Sequence, residues 1–391
     1  YVVLGFVSGT FQDGEDLEIS SVAVATADGT AAERGAANDA SDTLWLAKAR
    51  SDARALIAAV PGSGPIRGVW VFKGDVYAIR DNVGATAGVL FKATATGWSA
   101  QTLGRTLAFT SGGTVEIKDG DAAGYVTFAS QTGTFQSENL NIGASTNVAT
   151  IAGNSTVTTL PAGGRYDFSN HNFYGQANQE CMYAANGVGK AFEWTGTVLT
   201  PITTGQASDT PRHIAVYRNH LFLAFDGGSI ICSSTGEPLT YDAATGAFEG
   251  AIGQDPTGLL DSASSALVVF ARNKTLVLIG DDSANFVLST LASDAGAIRW
   301  TAQLVGSPIY MDDGGIRDMK TTSAFGDWKI GAITKLVDPL LDAKRRQNAV
   351  PVASVRVRGR DQYRMFFSDG SGLAIYFGRK NPEIMPLNLG K

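Results

Sequence analysis

Little in this chain is equipped for chemistry. Of 391 residues only two are cysteine and three are histidine, and charged residues make up just 17%. Cys181 and Cys232 fall in separate apolar runs with no partner at metal-ligand spacing, which argues against a zinc ribbon or a disulfide framework. They read as buried free thiols, because reduced cysteine behaves as a small apolar side chain and a chain of this length does not need a disulfide. His171, His213 and His220 supply no i, i+4 pair to share a metal on a helix. No apolar run approaches the roughly 20 residues that cross a bilayer. Residues 1–19 show neither a basic start nor a small-residue cleavage site.

Recognisable catalytic arrangements are missing as well. There is no G-x-S-x-G elbow, the commonest cue for a serine hydrolase. Asn186-Gly187-Val188-Gly189-Lys190 resembles the end of a phosphate loop, but Ala184 stands where the first glycine belongs and Ala191 where a magnesium-holding hydroxyl belongs. A turn explains it better. Asp281-Asp282 and Asp312-Asp313 offer adjacent carboxylates, yet neither continues as the alternating series of a calcium loop, and both read as turns. The expectation is no catalytic residue, no cofactor, no metal and no enzyme activity. The enzyme class hardest to set aside is a glycosidase, whose two carboxylates can lie anywhere in sequence.

Glycine, at 46 residues, and apolar side chains, at 44%, are what the chain has in quantity. They combine in six stretches of one design, an apolar β-rich run, a short turn and a second apolar run: GVWVFKGDVYAI from Gly68, CMYAANGVGKAFEW from Cys181, HIAVYRNHLFLAF from His213, ALVVFARNKTLVLIG from Ala266, SPIYMDDGGIRDM from Ser307 and QYRMFFSDGSGLAIYF from Gln362. Each predicts a β-hairpin, since Gly, Asn or Asp supplies the positive φ of a tight turn. The last five begin 32, 53, 41 and 55 residues apart, loosely the 40 to 50 residues of a four-stranded propeller blade. One small sheet cannot bury both its faces, whereas sheets set side by side about an axis share a continuous core. The reading is an all-β protein, a β-propeller of small antiparallel sheets with an accessory β domain that carries one helix.

That accessory domain is assigned to residues 1–58 and 105–154, and the blades to 59–104 and 155–391. Residues 3–19 and 126–142 look like two copies of one element: Thr10-Phe11-Gln12 matches Thr134-Phe135-Gln136, and Glu15, Leu17 and Ile19 fall on Glu138, Leu140 and Ile142 after one deletion. Between them Trp45, Ala49, Ala53, Leu56 and Val60 recur at helical spacing and predict a helix over 41–60, stopped by Pro61-Gly62-Ser63-Gly64-Pro65. A second helix should open at Asp338-Pro339 and close on Lys344-Arg345-Arg346. Its basic end is either solvated or a surface for an acidic or anionic partner. Alternation through Val355-Arg356-Val357-Arg358-Gly359-Arg360 predicts a strand with Arg356, Arg358 and Arg360 on one face, towards solvent, an inter-subunit ion-pair row or a channel. Charge is uneven: residues 334–391 hold 11 Lys+Arg against 5 Asp+Glu, leaving 20 against 32 before them. A mostly acidic body does not grip nucleic acid through phosphate neutralisation.

Several phrases, in order, carry a resemblance: Tyr217–Asp226 (YRNHLFLAFD), Gly227–Leu239 (GGSIICSSTGEPL), Asp281–Leu288 (DDSANFVL), Tyr310–Gly315 (YMDDGG) and Gln362–Gly370 (QYRMFFSDG). Over residues 166–391, and more weakly 61–104, the chain resembles the nozzle proteins of short-tailed bacteriophages, also called tail tubular protein B. The resemblance implies a β-propeller with a platform domain and six copies forming the distal tube of the tail under an adaptor ring. It also implies tail-fibre docking, DNA passing through the lumen without sequence-specific binding, and a place in the virion after assembly in the host bacterial cytoplasm. Lys344, Arg345, Arg346, Arg356, Arg358 and Arg360 are the expected partner or lumen contacts. The competing expectations are a carbohydrate- or receptor-binding propeller, with Trp98 or Trp194 stacking on sugar rings, and a glycan-cleaving tail enzyme.

Overall fold

The computed structural model describes residues 13–19, 21–26, 48, 58–112, 125–132, 134–137, 139–142, 145–151, 153–262, 266–321, 328–332, 338–377 and 382–388. The chain divides into two compact units, Tyr1–Ala59 with Ala95–Gly97, and Val60–Thr94 with Trp98–Lys391. In the first, a hairpin pairs Asp16–Ile19 with Val22–Thr26 through a bulge at Leu17/Glu18. The helix expected over 41–60 lies outside the described residues except for Lys48, which is helical, and residues 58–60, which are not. Residues 3–12 of the first copy of the duplicated element, 3–19, lie outside them too.

The second unit is a series of small antiparallel meanders, six among the described residues, which we number as blades. Blade 1 comprises Ile66–Phe72, Asp75–Asp81, Ala87–Thr94 and Gly97–Ala100, with Leu160–Pro161 added along its third strand. Blade 2 comprises Asp167–His171, Cys181–Ala185, Phe192–Trp194 and Leu199–Pro201, and blade 3 His213–Tyr217, His220–Phe225, Ser229–Cys232 and Phe248–Ala251. Blade 4 runs through Pro256–Ser262, Ala266–Ala271, Thr275–Ile279 and Val287–Ala292, blade 5 through Gln303–Val305, Ser307–Asp312, Gly315–Thr321 and Trp328–Ala332, and blade 6 through Pro351–Val357, Gln362–Phe367, Ser371–Tyr376 and Glu383–Asn388. A further sheet, built on Arg105–Gly112 and Ser145–Ile151, is inserted between blades 1 and 2.

All six hairpins expected from sequence form, and their turns show why. Lys73 and Gly74 have φ of 49° and 82°, and Arg218 and Asn219 have 50° and 60°. Two successive positive φ values make the tight turn whose twist matches that of the flanking strands. Five blades then start at 167, 213, 256, 303 and 351, that is 46, 43, 47 and 48 residues apart. The looser spacing of the hairpins arises because the one at His213 joins the first and second strands of its blade, whereas its neighbours in the series join the second and third.

The sheets are vanes rather than a stacked pair. The first strand of each blade touches the first strand of the next, from blade 1 through to blade 6. Between the blades lie separate apolar cores, with Phe72, Met182 and Trp194 between blades 1 and 2, Tyr183 and Leu223 between 2 and 3, Phe222 and Leu267 between 3 and 4, Phe270 and Tyr310 between 4 and 5, and Met311 and Tyr363 between 5 and 6. Cys181–Ala185, His220–Phe225 and Ala266–Ala271 are buried throughout, as strands covered on both faces must be. Each such aliphatic or aromatic side chain stabilises the fold by about 1.5–3 kcal/mol.

One helix, α1 (Asp338–Arg346), precedes blade 6 with the limits expected from sequence, anchored by buried Leu341. The arginine row of the last blade requires correction. Its first strand ends at Val357, and Arg358–Arg360 form a 3-10 turn closed by Asp361 at φ 45°. The hairpin reverses before the alternation can continue, so of the three arginines only Arg356 lies on a strand.

Candidate functional site at the axial rim

The first strands begin at one rim of the propeller, and the turns between second and third strands return to the same rim. There a repeated clasp joins consecutive blades. Gly163 N donates to Asp81 Oδ1 at 3.1 Å, Gly187 N to the Pro211 carbonyl at 2.7 Å, Gly227 N to Asp255 Oδ1 at 2.8 Å and Ala297 N to the Ala271 carbonyl at 3.0 Å. In each case the turn of one blade holds the connector that leads into the next. The phosphate-loop look-alike is one of these turns. Asn186 Oδ1 accepts from Val188 N and Gly189 N at 3.0 Å each, so the amides that would cradle a phosphate are already used.

Around this rim the charged side chains pair with one another. Arg67 Nε donates to buried Asp81 Oδ2 at 2.7 Å. Burial alone would raise the Asp81 pKa, but Arg67 and the Gly163 amide outweigh it and hold the carboxyl below its ordinary value. Arg212 Nε reaches both oxygens of Asp226 at 2.8 Å, and Arg299 Nη2 adds a contact to Oδ1 at 3.1 Å. Arg212 first, then Arg299 and His213, keep Asp226 below the usual carboxylate range against the opposing effect of burial. Arg272 meets Asp313 at 2.5 Å and Lys344 of α1 meets Asp369 at 2.6 Å.

At the centre stands Trp300, in the connector between blades 4 and 5, with φ 68°. A bulky side chain in left-handed backbone is strained and persists only where its surroundings demand it. The Arg165 guanidinium lies 4.2 Å from the indole centroid, and the His213 ring is 5.1 Å away. His213, only 1% exposed, faces Asp167 Oδ2 through Nδ1 at 2.9 Å, while its Nε2 has no hydrogen-bond partner. Arg165 also donates to the carbonyl of Val352 on blade 6. A single arginine at the start of blade 2 therefore touches the connector into blade 5 and the first strand of blade 6. Only blades curled about an axis allow that.

Two other groupings bring reactive side chains together. Cys232 Sγ lies 3.8 Å from His220 Nδ1, the distance of a thiol-imidazole pair. That nitrogen donates to the Ser233 carbonyl at 2.6 Å, so it cannot take the thiol proton, and burial pushes the thiol up to about 12. Tyr174 and Tyr183 hydroxyls donate to Glu193 Oε2 at 2.9 and 2.6 Å in the core between blades 2 and 3, away from solvent. Asp312 and Asp282 cap their own turns through Gly314 N and Ala284 N, as their sequence contexts suggest. Among the described residues no group of three or more His, Cys, Asp or Glu side chains is placed to hold a metal ion.

The side chains expected as partner or lumen contacts do not form one patch. Lys344 is tied to Asp369, Arg345 pairs with Asp342 at 2.8 Å, and Arg346 is exposed at the end of α1. Arg356 is half-buried on its strand, while Arg358 and Arg360 are exposed in the turn. Trp194, offered as a sugar platform, is 1% exposed in the core of blades 1 and 2, and Trp98 packs against Val60, Ala78 and Phe91. The rim cluster was not foreseen. The one cue was a shared spacing of 14 residues in Arg67–Asp81 and Arg212–Asp226.

No protein-family model matches this sequence, and no curated protein matches it. Three solved structures illustrate what it is similar to. The surface component PorZ of the type-IX secretion system of Porphyromonas gingivalis has a TM-score of 0.44 at 8% identity, over 81% of this chain and 41% of that one. YCF48 bound to a D1 peptide has 0.42 at 12%, over 83% and 82%, and apo AztD from Citrobacter koseri 0.41 at 10%, over 86% and 76%. This chain thus spans less than half the length of PorZ. Among the described residues no helix is long and apolar enough to cross a membrane.

Proposed function

We propose that this chain is a structural virion protein, a propeller subunit of the ring-shaped tail nozzle of a short-tailed bacteriophage. In this role it forms part of the distal channel for DNA ejection, offers a docking surface to tail fibres, sits beneath the tail adaptor and performs no catalytic step. The observation that carries the reading is the pairing of cations along the rim, where Arg67, Arg212, Arg299, Arg272 and Lys344 each have a carboxylate partner. Cations already paired with carboxylates are not free to neutralise phosphates, so the rim gives DNA little to hold wherever it stands in the assembly. The ordered phrases shared with nozzle proteins support the same reading.

The fold limits where such a conduit could run. Arg165, stacked on Trp300 and bonded to Val352, occupies the axial end of the propeller, so a duplex has no path along the propeller's own axis. The lumen of this proposal lies between copies, six around the ring. Of the six cations expected as partner contacts, Arg346, Arg358 and Arg360 are exposed and would meet an acidic partner. Of the two tryptophans of the glycan-binding alternative, Trp194 is buried and Trp98 half-buried. The test is particle imaging of the purified protein together with DNA binding between 50 and 200 mM salt, the range over which proteins that make 6–10 phosphate contacts lose about 10³–10⁵ in affinity. Closed rings with weak, nearly salt-independent DNA binding are expected. Monomers at every concentration, or tight binding with a steep salt dependence, would overturn the reading.

A further inference from the structure

The five joints from blade 1 to blade 6 are each sealed by an apolar core, but the joint between blade 6 and blade 1 is not. Among the described residues no apolar cluster spans it, and blade 6 is built from four consecutive strands, so no strand of blade 1 completes it. The sheet faces on this joint are nonetheless apolar. In blade 1, Ile66, Val69, Val71 and Val76 share one face, since Val71 pairs with Val76, Val69 with Ala78 and Ile66 with Arg80 across the ladder. Trp70 lies on the opposite face, where it stacks on Phe168 of blade 2 at 5.6 Å. In blade 6, Val355, Arg364, Ala374 and Met385 form one row, while Tyr363 and Met365 on the other face are buried against blade 5.

Two contacts place these faces opposite each other within one chain. Arg165 donates to the Val352 carbonyl on the first strand of blade 6, and Tyr166 N donates to the Arg67 carbonyl on the first strand of blade 1 at 2.9 Å. Two adjacent residues thus hold the two first strands side by side. In both strands the residue held lies at a shift of register, between Pro351 and Ala353 in blade 6 and between Ile66 and Gly68 in blade 1. Since both strands start at the same rim, Val69 and Val355 stand at similar depth just beyond these anchors. Yet the faces are not sealed: Val69 and Val71 are 54% and 55% exposed, and Val355 and Met385 43% and 59%, whereas Phe270 and Tyr310 across the joint of blades 4 and 5 are fully buried.

We propose that this joint is a seam at which the propeller opens and shuts, its two apolar faces covering each other when shut, with Arg165 as the pin that limits the opening. The faces are aliphatic rows on small sheets, the same kind of surface that meets at the five sealed joints, so each is a fitting cover for the other. The two arginines that share these faces already have acceptors: Arg80 donates to the carbonyls of Gly64 and Val60, and Arg364 Nη2 to Gln362 Oε1 at 2.8 Å. Shutting the seam therefore strands neither of them. Local opening starts where few apolar side chains are buried, and parting this joint leaves all five cores intact. The inference holds for a single copy and does not depend on the nozzle reading.

The test is the double variant Val69→Cys/Val355→Cys, mildly oxidised in dilute solution, where the native Cys181 and Cys232 are buried and do not interfere. An intramolecular disulfide, found as a cross-linked peptide in monomeric protein, should form at least about tenfold faster than in a Val83→Cys/Val355→Cys control, since apposed thiols experience a high effective concentration. Val83 is exposed on a loop of blade 1, away from the seam. Before oxidation, both thiols of the double variant should react with maleimide, which reads the open state. Adding Arg165→Ala should slow the cross-link about tenfold, the equivalent of one hydrogen bond from a charged group. Cross-linking no faster than in the control would overturn the seam, as would a cross-link between copies or thiols that resist maleimide. A rate unmoved by Arg165→Ala would overturn the pin.

Discussion

Trp300 concentrates the physics of the rim in one residue. Its φ of 68° costs about 1–3 kcal/mol for a non-glycine residue, and contacts with Arg165 and His213 offset that cost. Truncation should therefore break the usual order in which alanine outperforms glycine. Trp300→Gly is expected to be more stable than Trp300→Ala by about 0.5–1 kcal/mol in urea unfolding, because only glycine relieves the backbone strain. Equal midpoints would show that the strain is not there. The paired acids of the rim make a second prediction. Asp81 and Asp226 both have folded-state pKa values depressed below the ordinary carboxylate value. A depressed carboxylate contributes stability that is present above its unfolded pKa, near 4, and lost as pH falls through the folded pKa. Thermal midpoints should drop from about pH 4 downwards, and Asp81→Asn, which leaves Arg67 without its anion, should flatten that drop and cost about 2 kcal/mol at neutral pH. An unchanged acid limb would count against these rim pairs.

Elements show how far local rules reach. The limits of α1 were legible because an aspartate, a proline and three terminal cations mark them. Its anchor, Leu341, is 1% exposed, so Leu341→Ala should cost about 3 kcal/mol in chemical denaturation; a loss under about 1 kcal/mol would mean that the helix is not docked. The six hairpins were legible because Gly, Asn and Asp between two apolar runs mark tight turns. Asn219, whose Oδ1 meets His171 Nε2 at 3.0 Å as well as holding the turn, should lose about 1–2 kcal/mol on Asn219→Ala, read from the shift in Tm. Alternation misjudged Arg356, Arg358 and Arg360, because a period of two says which face a residue takes and not where the strand ends. Val357 is the last strand residue, and nothing in a run of Val and Arg announces the turn that follows.

At the scale of the molecule, blade-like repetition could be read from sequence while the rim could not. Repetition is written locally in every hairpin. Arg165 and Val352, in contrast, are 187 residues apart, and no local pattern links them. Trp194 packs in a blade core, the place favoured for it over a sugar platform, because the neighbouring blade covers a tryptophan that its Thr-Gly turn alone would leave exposed. The ring reading joins these levels: blades about an axis, an axial end occupied by Arg165 and Trp300, and paired rim cations. Electron cryo-microscopy of the purified protein tests it most directly. Radial four-stranded vanes in each subunit, with subunits closed into a ring around a lumen wider than a DNA duplex, are the expected density. Isolated subunits at micromolar concentration, or sheets stacked as a sandwich, would contradict it.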